Sequence, residues 1–208
     1  MNAAGKVAVV DYGVGNLFSV EKALRAAGAE AVVTADAAEI EDAVKIVLPG
    51  VGAFGDCMKN LTASGLIPAI EKKVQSGTPL LGICVGMQIL FSGSEESPRV
   101  AGLGWLSGTV QKINAPGLKV PHIGWNSLAV AAPRSSPNLF TGITASPYVY
   151  FVHSYAAVPE DSAVITATVM YGTRLTAAVQ RGNVMATQFH PEKSGNVGLQ
   201  ILCNFVRS

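Results

Sequence analysis

The chain has 208 residues, a formal net charge of +1 and only 14% charged residues. That length suits a single domain (1–208) with a substantial core, and the scattered lysines and arginines form no basic face for nucleic acid or an anionic membrane. No apolar run approaches the roughly 20 residues that cross a bilayer and no signal-peptide core opens the chain, so the expectation is a soluble, cytoplasmic protein.

Cys57, Cys84 and Cys203 are widely spaced and odd in number, which supports neither a disulfide framework nor a CxxC zinc site, and no cofactor is expected. The low charge content fits a sheet buried on both faces.

Lys6 to Asp11 reads as a strand closed by Tyr12-Gly13-Val14-Gly15-Asn16, after which Leu17 to Ala27 has helical spacing and ends at Gly28. The loop lacks both the third glycine of a dinucleotide fingerprint and a Walker lysine. It reads as a tight turn at the C-terminal edge of a sheet, where ligands and partners approach. Ala31 to Thr34 and Lys45 to Leu48 are the next strands, the latter running into Pro49-Gly50-Val51-Gly52-Ala53-Phe54-Gly55. Its glycines allow backbone amides to converge on one point, although a flexible turn before a helix has the same composition. Asp56 to Gln75 holds one or two helices broken near Gly65 and Pro68.

Thr78-Pro79 then precedes a buried strand, Leu80 to Cys84, and Met87 to Phe91 reads as the first turns of a buried helix. Cys84 falls on the strand-to-helix corner, and Gly82-x-Cys84-x-Gly86 has the shape of a nucleophile elbow, whose small flanking residues relieve a strained turn. The helix dipole at such a corner favours a thiolate, and the Val85 amide would donate to an oxyanion. A small buried hydrophobe is the alternative reading of Cys84.

Ser92 to Pro98 is polar, and from Val100 to Val184 short alternating segments suggest antiparallel strands added to a parallel core, with Ala131 to Pro137 an exposed loop. A strand then ends at Gln188-Phe189-His190, Pro191 turns the chain, and Val197 to Val206 is a closing apolar helix. His190 with Glu192 has the composition of a general base oriented by a carboxylate. Taken singly, they are a core histidine and an acidic first-turn residue. The expected fold is α/β, three-layered, with a mostly parallel central sheet flanked by helices and added antiparallel strands.

Together, the Gly-x-Cys-x-Gly elbow and the His-Pro-Glu turn resemble the class I, triad-type glutamine amidotransferases. The resemblance implies a catalytic triad of Cys84, His190 and Glu192. It also implies an oxyanion hole of Val51, Gly52 and Val85, and a glutamine site at Gln88, Glu96, His153, Ser154 and Tyr155. Gln88 also reads as a buried amide satisfied by backbone, and Glu96 as a solvated loop charge.

Five further stretches look like the glutaminase subunits of imidazole glycerol phosphate synthases. They are Asp11 to Leu17, Leu48 to Asp56, Pro121 to Asn126, Tyr150 to Tyr155 and Gln188 to Gly195. That likeness implies a heterodimer with a (β/α)8-barrel cyclase subunit in histidine biosynthesis, with Asn16, Trp125, Tyr150 and Lys193 near the joint. An amidotransferase of another pathway, or a regulatory module with a decayed site, is the competing expectation.

Overall fold

A computed structural model describes residues 5–132, 138–144 and 146–208. The strands are β1 (Val7–Val10), β2 (Ala31–Thr34), β3 (Lys45–Gly50), β4 (Leu80–Cys84), β5 (Gly108–Lys112), β6 (His122–Val130), β7 (Tyr148–His153), β8 (Tyr155–Pro159), β9 (Ile165–Tyr171), β10 (Thr173–Arg181) and β11 (Val184–Thr187). The helices are α1 (Leu17–Ala26), α2 (Ala37–Asp42), α3 (Phe54–Ser64), α4 (Ile67–Gln75), α5 (Val85–Gln88) and α6 (Gly195–Arg207).

β1, β3, β4 and β11 are buried at every position, as strands covered on both faces must be. They pair in parallel with β2 in the order β2-β1-β3-β4-β11, and β10, β9, β6 and β7 continue the sheet antiparallel. In the added part exposure alternates along β6 and β7. A separate ribbon pairs β5 with β8. Helices flank the sheet in two groups, α1 against α6 and α2 and α3 against α4. The expected mixed α/β architecture is therefore present, with the parallel half carrying the core.

Three local differences from the sequence reading have simple causes. The six residues of α2 are too few to show a period; Asp36 starts the helix by accepting from the Ala38 N–H at 2.8 Å, and Ile40 anchors it. Pro68 does not break a helix but lies in the first turn of α4, where its missing N–H has no partner to lose; the break is Gly65, left-handed at φ 72°. The elbow helix α5 stops after one turn, because the carbonyls of Ile89, Leu90 and Phe91 accept from Leu103, Leu106 and Gly104 instead of extending the helix. Of the expected loop Ala131 to Pro137, residues 133–137 lie outside the described residues.

The decisive arrangement is the central register. β4 lies between β3 and β11, with Gly50 opposite Cys84 on one side and Thr187 opposite Ile83 on the other. The chain leaving β3 and the chain leaving β11 therefore emerge on either side of Cys84. Close packing here requires glycine: a Cβ on Gly50 would lie 2.5 Å from the Gly86 nitrogen, and one on Gly86 would collide with the Leu48 carbonyl oxygen. Gly86→Ala must displace backbone and should cost on the order of 3 kcal/mol of stability. A denaturant midpoint equal to that of the wild type would show that the elbow has room to spare.

Candidate active site

Cys84 ends β4 and caps α5 with φ 56° and ψ −113°, a strained conformation found at no other non-glycine position among the described residues. The turn presents its sulfur to a cavity of about 430 Å³, large enough for an amino-acid-sized ligand. Val51, Gly52, Val85, Gln88, Glu96, His153, Ser154, Tyr155, His190 and Lys193 line the same cavity. Every residue expected at the glutamine site or oxyanion hole is thus brought together, along with two of the three expected triad members.

The third, Glu192, is buried behind His190 and accepts from its Nδ1 at 2.8 Å. That contact fixes the tautomer, so Nε2 is the ring atom left for chemistry. Nε2 is buried with no aligned hydrogen bond, yet lies close enough to Cys84 for the thiol to influence its titration. Burial alone would lower the His190 pKa; hydrogen bonding and charge from Cys84 and Glu192 overcome this and raise it to about 9. The imidazolium is therefore the favoured form beside Cys84.

Two expected substrate residues have structural partners as well. Gln88 donates through Nε2 to the Tyr155 carbonyl and to Gln188 Oε1, both at 3.0 Å, so its amide nitrogen is satisfied inside the protein. Glu96 is no free loop charge: its Oε2 accepts the Phe54 N–H at 2.7 Å, at the start of α3, where the helix dipole favours an anion. The expected joint residues lie outside the pocket except Lys193. Trp125 is 55% exposed and meets the Tyr150 ring edge-on at 6.2 Å, Lys193 Nζ lies 6.0 Å over Tyr150, and Asn16 caps α1 on the surface.

Several residues that shape the site have no local sequence pattern that gives their role. The Tyr12 hydroxyl donates to the Pro49 carbonyl at 2.6 Å and the Cys57 thiol to the Val51 carbonyl at 3.3 Å, pinning the glycine-rich turn from below. Burial raises both groups, Cys57 to about 11, so both remain neutral donors. Ser194 donates to the His190 carbonyl at 2.6 Å and accepts the Tyr150 N–H at 3.0 Å, tying the histidine turn to β7. The partners of these side chains lie on other elements, which local pattern does not reveal.

His153 in the cavity wall and His122 behind it form a directed chain. The Tyr155 carbonyl can only accept, so His153 Nδ1 carries the proton at 2.9 Å; His153 Nε2 then accepts from His122 Nδ1 at 3.0 Å, and His122 Nε2 accepts from Asn126 Nδ2 at 3.3 Å. Burial lowers both pKa values from 6.5 to about 4. Between those values the unfolded chain binds protons that the folded chain refuses, so the stability they contribute is present above about pH 6.5 and is lost as pH falls toward 4. His190, shifted the other way, contributes below 6.5 and loses its contribution as pH rises through about 9. Denaturation at successive pH values should show stability falling by roughly 3 kcal/mol or more across the acid interval. His153→Gln should flatten that slope, and an unaltered slope would contradict the neutral pair.

Residues 8–208 match the family model described as Glutamine amidotransferase class-I. The imidazole glycerol phosphate synthase subunit HisH of Moorella thermoacetica is 50% identical over 199 residues, spanning 96% of this chain and 93% of that protein. Its counterpart in Syntrophotalea carbinolica is 50% identical over 207 residues, spanning 96% and 98%. Among solved structures, one described as a glutamine amidotransferase superposes with a TM-score of 0.75 at 24% identity, covering 97% of this chain and 99% of that one; it supports the fold. The PurLQS structure from Thermotoga maritima does the same at 0.74 and 23% identity, covering 98% of each chain. With a cysteine elbow, a carboxylate-braced histidine beside it and a family match over almost its whole length, the chain belongs to the class-I glutamine amidotransferases.

Proposed function

We propose that the chain is the cytoplasmic glutaminase subunit of imidazole glycerol phosphate synthase, hydrolysing glutamine at Cys84 and passing ammonia to a (β/α)8-barrel cyclase subunit. The observation that carries the chemistry is the placement of the Cys84 elbow between the glycine-rich turn after β3 and the His190-Glu192 pair after β11. The extensive identity with two HisH subunits carries the choice of pathway.

The Cys84 thiolate attacks the side-chain amide carbon of glutamine. A C–S bond forms and the carbonyl electron pair moves to oxygen, toward the Val85 N–H and the amides of the Val51-Gly52 turn. His190 Nε2 gives its proton to the nitrogen as the C–N bond breaks, and ammonia leaves. Water then loses a proton to His190 Nε2 and adds to the thioester; the C–S bond breaks, its electron pair returns to sulfur, and glutamate departs. Glu192 holds the ring throughout. In the cavity wall Glu96 is the carboxylate suited to the substrate's amino group, and Gln88, His153, Ser154 and Tyr155 line the space for its other end. His153, held neutral with Nδ1 on the Tyr155 carbonyl and Nε2 on His122, shapes the wall without adding charge.

Ammonia released into water near neutral pH is mostly protonated and no longer nucleophilic, so the product needs a covered route to its acceptor. Exposed apolar side chains on one face of β6 suit such a partner: Ile123 is 60% exposed and Trp125 55%. Asn16, Trp125, Tyr150 and Lys193 are the residues proposed at that joint.

In the complex reconstituted with a cyclase, Cys84→Ala should abolish glutamine-dependent synthesis while synthesis fed by added ammonium continues. Loss of both activities in a folded complex would defeat the division of labour. Glu192→Gln, which keeps the shape but removes the charge, should lower glutamine turnover by at least about 10²-fold. Turnover within a few-fold of wild type would remove Glu192 from the proposed triad.

A further inference from the structure

Gln188 lies one residue beyond β11, is completely buried, and has no part in the mechanism above. Its Nε2 is 3.8 Å from the Cys84 sulfur, within the reach of an N–H donating to that large, polarisable atom. An amide can usually rotate to show either end to a neighbour. This one cannot.

The reason begins at the Tyr155 carbonyl, which has two lone pairs and no hydrogen to give. One accepts from His153 Nδ1 at 2.9 Å and the other from Gln88 at 3.0 Å, so the Gln88 atom at that position must be its nitrogen. The same nitrogen lies 3.0 Å from the Gln188 side chain, which must therefore present oxygen to it. With its oxygen committed to Gln88, Gln188 turns its nitrogen toward Cys84. Reversing Gln188 would set two NH₂ groups against each other and a bare carbonyl oxygen against sulfur. Gln188 itself is completely buried and lies off the cavity lining, so no water reaches its side chain to repair that arrangement.

Given the assignment of Cys84 as nucleophile, we infer that Gln188 is a further catalytic residue, an amide donor to the cysteine sulfur held in its working orientation by the Tyr155 carbonyl through Gln88. It acts when the sulfur carries charge. Before attack it stabilises the thiolate; in the second half-reaction it receives the electron pair returning to sulfur as the thioester C–S bond breaks. Both roles require an N–H, and neither requires a titrating group. The oxyanion amides address the substrate oxygen, so Gln188 meets a separate electrostatic need.

The test uses Gln188→Met, similar in size and without a donor, and Gln188→Glu, which has the same shape but only accepts when ionised. In the cyclase-bound enzyme a hydrogen bond to a charged atom corresponds to a fall in kcat of about 10- to 100-fold on its removal, with KM for glutamine changed less than about threefold. A second arm needs no glutamine turnover: alkylation of Cys84 by iodoacetamide, located by mass spectrometry, should slow several-fold at neutral pH in both variants. The loss of thiolate outweighs the partial gain in intrinsic nucleophilicity.

Denaturation profiles establish which variants are folded, and the glutamate variant serves if the methionine variant is not. A folded variant with wild-type kcat and wild-type alkylation overturns the inference. Wild-type enzyme that fails to hydrolyse glutamine, or Cys84→Ala that still does, would instead defeat the glutaminase reading and leave the alkylation arm to judge Gln188.

Discussion

The conformation of Cys84 is the constraint on which the neighbouring structure depends, because a side chain at φ 56° and ψ −113° persists only where packing leaves the backbone no alternative. The enclosure comes from glycine on three sides. Gly50 at the end of β3 lies against Gly86 of the elbow, Gly86 against the Leu48 carbonyl, and a Cβ on Gly82 would sit 2.8 Å from the Gly86 oxygen. Main chain thus packs on main chain, and the sheet hydrogen bonds of β3, β4 and β11 resist relaxation. The strain has a chemical use: it lifts the sulfur out of the sheet and toward the cavity, with a following amide available to an oxyanion.

Around that corner, burial acts on three histidines with opposite results. His122 and His153 hydrogen-bond only to neutral groups, so desolvation prevails, joined at His153 by the nearby charge of His190, and both are held neutral. His190 is buried too, but it shares its pocket with a carboxylate and a thiol, and these reverse the outcome. The same residue type therefore provides a rigid, uncharged wall on one side of the cavity and a proton donor on the other. The wall is rigid because every hydrogen in the chain from Asn126 to the Tyr155 carbonyl has a direction set by a group that can only accept.

The base and the exposed face are mechanically joined. His190 donates its backbone N–H to the Tyr150 carbonyl at 3.0 Å, and the Tyr150 N–H returns to Ser194 Oγ at 3.0 Å, within the turn that holds Glu192. Tyr150 in turn borders Trp125 and Lys193 on the surface. A displacement of that aromatic edge would draw on the backbone that carries the imidazole. The His190 turn and the exposed aromatic edge thus share hydrogen bonds.

The sequence by itself determined the parallel strands, the cysteine corner and the histidine turn, since continuous apolar runs, paired glycines and a proline after a histidine leave local traces. It located α1 and α6 by their period, whereas α2 was too short to show one and α5 ended early because later segments captured its outgoing carbonyls. Only the tertiary structure decided what lies beside the sulfur. β4 pairs with β3 and with β11, strands about 35 and 100 residues distant along the chain, and no local pattern encodes which strands become neighbours. The same limit applies to Tyr12, Cys57 and Gln188: a hydrogen bond to a remote element leaves no periodicity behind, so these residues acquire their roles only when the sheet assembles and excludes the water that would otherwise satisfy them.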